Sequence, residues 1–293
     1  MDILMLGHSG VGKTTFMAAM YAALQQPIDG FRVKAGKGQH KRLISLAKAI
    51  MSGHYPDATD QRSIYNLKLM YQDQAVFDFR WIDYRGNAMN ESNSSADARQ
   101  LVADLQGANG ILTFIDASEL VGGSRRVRRE IGRLTALLGE AVRGIAVPTP
   151  LAVVLTKFDT VDQSKGDKMM VPLEGLASAV AASRFVHGTI VPTSCGKELV
   201  NVHLPTLFAL HIGIRGKLAS LEGQYESRLA AAAEAESQVG LWNDFMAWLG
   251  EAPNKRDEAR SHRLSAQGVA QSYHALAKPA EGLGAYLDDL EHF

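Results

Sequence analysis

The fold is decided by residues 2–14, which read DILMLGHSGVGKT. The apolar run Ile3 to Leu6 leads directly into the pattern G-x-x-x-x-G-K-[ST], here Gly7 to Thr14. A short apolar run followed by glycine is typical of a buried strand, and the residues after Lys13 have a helical pattern. Glycines between a strand and a helix let backbone N–H groups point at phosphate oxygens. The segment therefore predicts a phosphate-binding loop, or P-loop.

Each residue type in this loop has its own expected part. The Lys13 ammonium would reach the β- and γ-phosphates, and the Thr14 hydroxyl would hold Mg²⁺. We expect His8 to be an exposed loop side chain and not a phosphate ligand. The predicted nucleotide-binding residues of this segment are Ser9, Gly10, Val11, Gly12, Lys13, Thr14 and Thr15.

Short apolar runs alternate with helical patterns from residue 2 to about residue 215. Two of the runs alternate with a period of two and are joined by the turn Gln72 to Gln74, so they predict a hairpin. The pattern indicates an α/β fold of the P-loop NTPase class, with a mostly parallel six-stranded sheet, one antiparallel edge strand and helices on both faces. The predicted strands are Asp2 to Leu6, Ser63 to Tyr71, Ala75 to Asp83, Ile111 to Asp116, Leu151 to Leu155 and Thr189 to Val191.

The chain is predicted to have two regions. Residues 1–215 would form the nucleotide-binding domain, with an insertion at about 27–58 that contains a helix. Strand patterns end after Pro205, so residues 216–293 predict a helical extension. Its dense apolar stretch, Leu241 to Leu249, has three open interpretations: it packs in a helical hairpin folded on itself or on the nucleotide-binding domain, it contacts a partner groove, or it lies on a membrane surface.

Composition limits the partners and the compartment. Lys plus Arg and Asp plus Glu both total 31, so the net charge is zero and no nucleic-acid partner is expected. The first apolar run is too short for a signal peptide or a membrane span. A single cysteine, Cys195, excludes an internal disulfide framework. We therefore expect a cytoplasmic protein without a membrane span.

A second motif, Thr156-Lys157-Phe158-Asp159, closes the run Leu151 to Leu155. A carboxylate at this edge of the sheet accepts two hydrogen bonds from guanine, and adenine lacks the matching pair of donors. The aliphatic stem of Lys157 can cover the ring. After the last strand, the backbone N–H groups of Ser194 and Cys195 lie where one can reach guanine O6. Guanine is the predicted base.

A third motif, Asp83-Tyr84-Arg85-Gly86, ends the second hairpin strand. Asp83 can bind Mg²⁺ through water, and the Gly86 N–H can approach the γ-phosphate because glycine has no Cβ. Asp116 also ends an apolar strand and is an alternative acid, but Asp83 followed by Gly86 fits better.

In this order the motifs resemble the Ras-like GTPases of the translation-factor-related (TRAFAC) class of P-loop proteins, over about residues 2–215. The chain looks like a bacterial-type stand-alone member. The resemblance implies that Lys157 and Asp159 recognise guanine and that Asp83 to Gly86 forms switch II. It also implies a switch I threonine that covers Mg²⁺ and the γ-phosphate, for which Thr59 is the candidate. Ser194-Cys195-Gly196 departs from the usual Ser-Ala-Lys.

The resemblance implies a Mg²⁺-dependent molecular switch that hydrolyses GTP to GDP and phosphate. The catalytic residues would be Lys13, Thr59, Gly86 and Asn87. Members that hydrolyse GTP quickly usually have Gln at the position of Asn87, and the shorter Asn would orient the attacking water poorly. We therefore expect slow turnover without an activating partner, and output through a protein effector. Two alternative functions stay open: a nucleotide-locked scaffold that does not hydrolyse GTP, and an ATPase. The oligomeric state also stays open, and a homodimer is one candidate.

Overall fold

The computed structural model describes residues 1–56, 63–83, 96–162, 169–237 and 255–290. Seven strands form one sheet, and two short strands pair separately. In chain order they are β1 (Asp2–Leu6), β2 (Phe31–Ala35), β3 (Ser63–Tyr71), β4 (Gln74–Asp83), β5 (Gly110–Asp116), β6 (Thr149–Thr156), β7 (Val186–Pro192), β8 (Ser194–Cys195) and β9 (Leu199–Val200).

Eight α-helices are described. They are α1 (Lys13–Ala23), α2 (Lys37–Met51), α3 (Ala96–Gln106), α4 (Ala117–Val121), α5 (Arg125–Gly144), α6 (Glu174–Ala181), α7 (Leu204–Ser237) and α8 (Lys255–Tyr286). Two 3₁₀ turns, Phe158–Thr160 and Val171–Leu173, lie between β6 and α6. No helix in the described ranges is long and apolar enough to cross a membrane.

The sheet confirms the predicted fold class. Its order is β2-β3-β4-β1-β5-β6-β7, and the pairs β4-β1, β1-β5, β5-β6 and β6-β7 are parallel. The predicted hairpin is present, since β3 pairs antiparallel with β4. The sheet has seven strands instead of six because β2, from within the predicted insertion, pairs antiparallel with β3 at the edge.

The insertion forms a strand and a helix that are fixed to the sheet. Helix α2 packs on α1 through the buried residues Ala18, Ala47 and Ile50. The Gln39 side-chain amide extends the ladder beyond β2, because its Nε2 donates to Ile64 O at 3.1 Å and its Oε1 accepts from Asn66 N at 3.2 Å. Helix α2 is the helix that was predicted within the insertion. Its first turn carries Gln39, which pairs with backbone groups of β3 beyond the end of β2.

The core lies on both sides of the central strands. Every residue of β5 and β6 is buried, as expected for parallel strands covered by helices on both faces. Helix α5 contributes an apolar stripe at helical spacing that packs into the same core: Val127, Ile131, Leu134, Leu138 and Val142. This core holds the ends of β1, β5 and β6 at one edge of the sheet, where the predicted motifs lie.

Contacts divide the chain into two units. The first is Met1–Gly213 together with Gly282–Phe293, so it includes C-terminal residues that the predicted domain boundary at 215 had assigned to the extension. Within this unit, Leu283 is fully buried and His203 Nε2 lies 2.6 Å from Tyr286 Oη. The end of α8 is therefore part of the first unit.

The second unit is Ile214–Glu281. Its described part consists of the remainder of α7 and α8. An ion pair joins the two helices, with Arg263 Nη2 at 2.6 Å from Glu236 Oε1. The apolar stretch Leu241 to Leu249, with its hairpin, partner and membrane-surface alternatives, lies outside the described residues.

Candidate nucleotide-binding site

A cavity of about 430 Å³ opens where the motifs meet. The P-loop after β1, the Thr156-to-Thr160 segment after β6 and the Cys195-to-Gly196 turn all line it. The carboxyl edge of an open α/β sheet is where such folds bind ligands. The lining residues are His8, Ser9, Gly10, Gly12, Lys13, Thr14, Thr15, Tyr55, Pro56, Thr156, Lys157, Asp159, Thr160, Cys195 and Gly196.

The P-loop backbone depends on glycine at its first and sixth positions. Gly7 has a φ of +150°, and a Cβ there would lie 3.0 Å from both the carbonyl oxygen and the Cβ of Phe114. Gly12, with a φ of +100°, is the left-handed residue that precedes α1. A side chain at either position would move the loop away from β5 or strain the helix start. These glycines hold the loop N–H groups at the cavity wall.

Lys13 is buried at the base of the cavity, with 8% of its surface exposed. Its Nζ donates to Gly7 O at 2.7 Å and to His8 O at 3.4 Å, and it lies 3.9 Å from Asp83 Oδ1. Burial lowers the pKa of Lys13, and the nearby carboxylate of Asp83 opposes that shift. An ammonium fixed in this way presents a positive charge to the cavity, where a bound phosphate would lie.

Asp83 ends β4 as a buried carboxylate, with 5% of its surface exposed. Among the described residues its Oδ1 has no hydrogen-bond partner, and burial raises its pKa to about 6 although the Lys13 charge opposes this. A buried carboxylate oxygen without a donor is suited to a cation. Asp83 and the cavity-lining Thr14 therefore fit the predicted Mg²⁺, for which hydroxyl and carboxylate oxygens are suitable ligands.

Replacing Asp83 with Asn should stabilise the ligand-free protein at neutral pH by about 2 kcal/mol. The folded-state pKa of about 6 lies above the ordinary 3.8, so the wild-type protein loses stability as the pH rises from about 4 to above 6. The Asn side chain avoids this loss, although it also leaves Lys13 without its carboxylate neighbour. Thermal unfolding in EDTA should show a higher melting temperature at pH 8 and no difference near pH 4.

The matched control for this prediction is Asp78→Asn, which changes an exposed carboxylate on the same strand. A similar gain in the control, or a gain at pH 8 that persists at pH 4, would contradict the assigned cause. The Asp83→Asn protein should also lose the Mg²⁺ dependence of nucleotide binding.

The last residue of β6, Thr156, is hydrogen-bonded to the P-loop. Thr156 Oγ1 donates to Val11 O at 2.7 Å, or to Ile115 O at 3.2 Å. Lys157 follows with a left-handed φ of +56°, which turns the chain sharply into the 3₁₀ turn that carries Asp159. The predicted base-recognition residues are thereby fixed relative to the phosphate loop.

The turn after β7 lies against Asp159. Burial raises the pKa of the Cys195 thiol to about 12, and the charge of Asp159 adds to the effect. A Cβ on Gly196 would lie 3.4 Å from Tyr55 Oη and 3.6 Å from Asp159 Oδ2. Gly196 therefore lies close to both side chains, with room for a Cβ at ordinary contact distance.

The predicted site residues are placed as follows. Nine of them line the cavity together: Ser9, Gly10, Gly12, Lys13, Thr14, Thr15, Lys157, Asp159 and Cys195. Asp83 lies beside Lys13, whereas Val11 faces a second cavity and Ser194 is buried in the short β8 strand. Thr59, Gly86 and Asn87 lie outside the described residues, so their roles stay predictions.

Six lining residues were not among the predicted site residues: four lie within or beside the predicted motifs, namely His8, Thr156, Thr160 and Gly196, and the other two are Tyr55 and Pro56. The last two were missed by sequence reasoning altogether. They follow α2 at the end of the insertion, and their only signal was a position just before the Thr59 loop. The sequence analysis also considered Asp116 as an alternative carboxylate ligand for Mg²⁺. Instead Asp116 Oδ2 lies 2.6 Å from Lys157 Nζ, and Asp83 is the acid near Lys13.

The expectation for His8 was wrong, because its side chain is only 12% exposed. It lines both the main cavity and a second cavity of about 190 Å³ behind the P-loop. Its Nε2 lies 3.5 Å from Glu130 Oε2. Burial, together with the charges of Arg126, Lys13 and Arg133, lowers the pKa of His8 to about 4, so the imidazole is neutral at pH 7 and this contact is not an ion pair.

Comparisons with known proteins agree with the motifs. Residues 4–131 match the model of a protein family described as Double-GTPase 1. None of the curated proteins compared with the chain matches it. The family match covers the P-loop, the hairpin and Asp116, and it ends within α5.

Comparison with solved structures finds GTP-binding proteins among the matches. The signal recognition particle receptor SRb-GTP/SRX complex from Chaetomium thermophilum is 11% identical, with 71% of this chain and 97% of that chain covered and a TM-score of 0.45. The Arl6 BBS3 small GTPase from Trypanosoma brucei is 16% identical, with 74% and 98% covered and a TM-score of 0.41.

A bacterial selenocysteine-specific elongation factor, EF-Sec, is 16% identical, with 72% of this chain covered and a TM-score of 0.38. The match spans 28% of the elongation factor. Together with the motifs gathered around one cavity, the family match over residues 4–131 supports a P-loop GTPase.

Proposed function

We propose that the protein is a cytoplasmic Ras-like GTPase of the TRAFAC class that hydrolyses GTP to GDP and phosphate as a Mg²⁺-dependent switch. The observation that carries the proposal is that the P-loop, Lys157, Asp159 and the Cys195 turn all line the same 430 Å³ cavity. A triphosphate at one end of this cavity and a guanine at the other would each meet groups of matching chemistry.

The phosphate end of the cavity is built around Lys13. Its buried ammonium would neutralise charge on the β- and γ-phosphates, and the loop N–H groups would surround the oxygens. Thr14 and Asp83 would hold Mg²⁺, which when bound neutralises phosphate charge as the leaving group develops. Thr59 and the Gly86 N–H would contact the γ-phosphate and relax after its release.

The base end is built around Asp159. Its carboxylate would accept hydrogen bonds from guanine N1–H and the exocyclic amine, while the stem of Lys157 covers the ring. A backbone N–H of Ser194 or Cys195, the two residues of β8, would meet guanine O6. These contacts favour guanine over adenine, so the ATPase alternative is the less supported one.

Binding of GTP is tested by titrating the nucleotide-free protein with GTP and with ATP, each with Mg²⁺ and with EDTA. The proposal expects GTP to bind at least 100-fold more tightly than ATP, since a site with paired hydrogen-bonding groups rejects a base lacking the donors by about that factor or more. It also expects EDTA to weaken GTP binding. Equal affinity for the two nucleotides would overturn the guanine assignment.

Replacing Asn87 with Gln should increase the rate of phosphate release by about tenfold, because the longer amide can orient the attacking water. The measurement is single-turnover phosphate release from GTP, with Asn66→Gln on β3 as the matched control. A faster rate in the Asn87 variant supports a slow switch that acts with an activating partner. No release by either protein, even with cell extract added, would favour the nucleotide-locked scaffold.

A further inference from the structure

The side chain of Lys157 is fixed by a residue that does not line the nucleotide cavity. Asp116, the last residue of β5, lies opposite Thr156 in the parallel ladder, one residue before Lys157. Its Oδ2 is 2.6 Å from Lys157 Nζ. Asp116 lines the second cavity and Lys157 lines the first, so the ion pair crosses the wall between the two.

The two oxygens of the Asp116 carboxylate have separate partners. Oδ1 accepts from Ser118 N at 3.0 Å, Ser118 Oγ at 2.6 Å and Glu119 N at 3.2 Å, which caps the start of α4. Oδ2 accepts from the Lys157 ammonium. The capping bonds therefore fix the orientation of the carboxylate, and the fixed carboxylate determines where the ammonium lies.

Burial and charge agree with this geometry. The Asp116 side chain is 8% exposed, whereas the Lys157 side chain is 45% exposed. Burial alone would raise the pKa of Asp116, but hydrogen bonds from Lys157, Ser118 and Glu119 outweigh it and hold the pKa below its usual range. The carboxylate is therefore ionised at neutral pH. It anchors the tip of a lysine whose side chain is otherwise about half exposed to solvent.

We propose that Asp116 is a positioning residue for base recognition: it holds the Lys157 ammonium so that the aliphatic stem forms a preset wall of the base subsite. This inference rests on the proposed function, because it assumes that a guanine lies against that stem. An unanchored lysine would lose side-chain freedom when the base binds, and an anchored one has already lost it. Asp116 should therefore affect the binding of the base and not that of the triphosphate, since the triphosphate would contact the P-loop.

The test measures affinity for GTP and for inorganic tripolyphosphate, both with Mg²⁺, by calorimetry. Asn caps helices as well as Asp does, so Asp116→Asn keeps the α4 cap and removes the ion pair. We expect this variant to bind GTP about five- to tenfold more weakly. The expected loss is smaller than for a fully buried ion pair, because solvent screens the exposed part of Lys157. Tripolyphosphate affinity should change less than twofold, and Asp2→Asn, which removes the remote ion pair with Arg80, should change neither affinity.

A double-mutant cycle separates positioning from a structural effect. Lys157→Met keeps an unbranched stem without the ammonium, and we expect the Asp116→Asn, Lys157→Met double variant to bind GTP as Lys157→Met does. Additive losses would overturn the inference, as would an unchanged GTP affinity in Asp116→Asn or equal losses of GTP and tripolyphosphate. If the wild-type protein bound GTP no more tightly than ATP, the proposed function itself would fail before the variants were compared.

Discussion

Replacing Asp159 with Asn should reduce the affinity for GTP by about 10²- to 10³-fold, the largest change we expect from one substitution at the base end. The wild-type carboxylate would accept two hydrogen bonds from guanine, and each bond to a charged group contributes about 1.5–3 kcal/mol. The amide of Asn places a donor against a donor of the base. Affinity should be measured at equilibrium with nucleotide-free protein.

The same variant should bind xanthosine triphosphate more tightly than GTP. Xanthine has a carbonyl oxygen in place of the exocyclic amine of guanine, so it can accept a hydrogen bond from the Asn amide. Asp73→Asn, in the exposed β3–β4 turn, is the matched control and should keep wild-type preference. Unchanged GTP affinity in the Asp159 variant would show that guanine is not read at this position.

Replacing Lys13 with Met should reduce affinity for GTP by about 10³-fold, the largest change expected at the phosphate end. Removing one partner of a buried charge pair costs about 2–5 kcal/mol, much of it because the other charges remain buried. Here the remaining charges would be the phosphates and Asp83, which lies 3.9 Å from Lys13 Nζ. The measurement is the same equilibrium titration, extended to tripolyphosphate.

Substitutions at the two ends of the cavity should weaken the binding of different ligands. Lys13→Met should weaken GTP and tripolyphosphate together, whereas Asp159→Asn should weaken GTP alone. Lys48→Met, on the exposed face of α2, controls for the loss of a lysine. If tripolyphosphate bound equally well to Lys13→Met, the phosphates would have to lie elsewhere in the cavity.

The fold class and the centre of the candidate site were predictable from the sequence because their signals are local. The P-loop is complete within Gly7 to Thr14, and its glycines, lysine and threonine have positions fixed by the turn itself. The segment Thr156 to Asp159 follows an apolar run that is buried along its whole length. Parallel strands bring their carboxyl ends to one edge, so these motifs meet without any further information.

The edge strand β2 shows how a local signal is lost. Phe31 to Ala35 alternates apolar and polar residues, but five residues inside an insertion are too few to distinguish a strand from a loop. The strand forms because β3 offers unpaired backbone groups along Leu67 to Tyr71. That partner lies more than thirty residues away in the chain, so only the folded sheet supplies it.

The sequence by itself predicted which residues would bind phosphate and read a base, since those predictions rest on residue types at fixed spacing. The tertiary structure alone decided that the His8 side chain is only 12% exposed, that Tyr55 lines the cavity, and that Gly282–Phe293 belongs with the first unit. It also decided that Asp116 anchors Lys157, a contact between residues 41 positions apart. Such contacts depend on how strands and helices pack, and packing joins residues whose separation in the chain carries no signal.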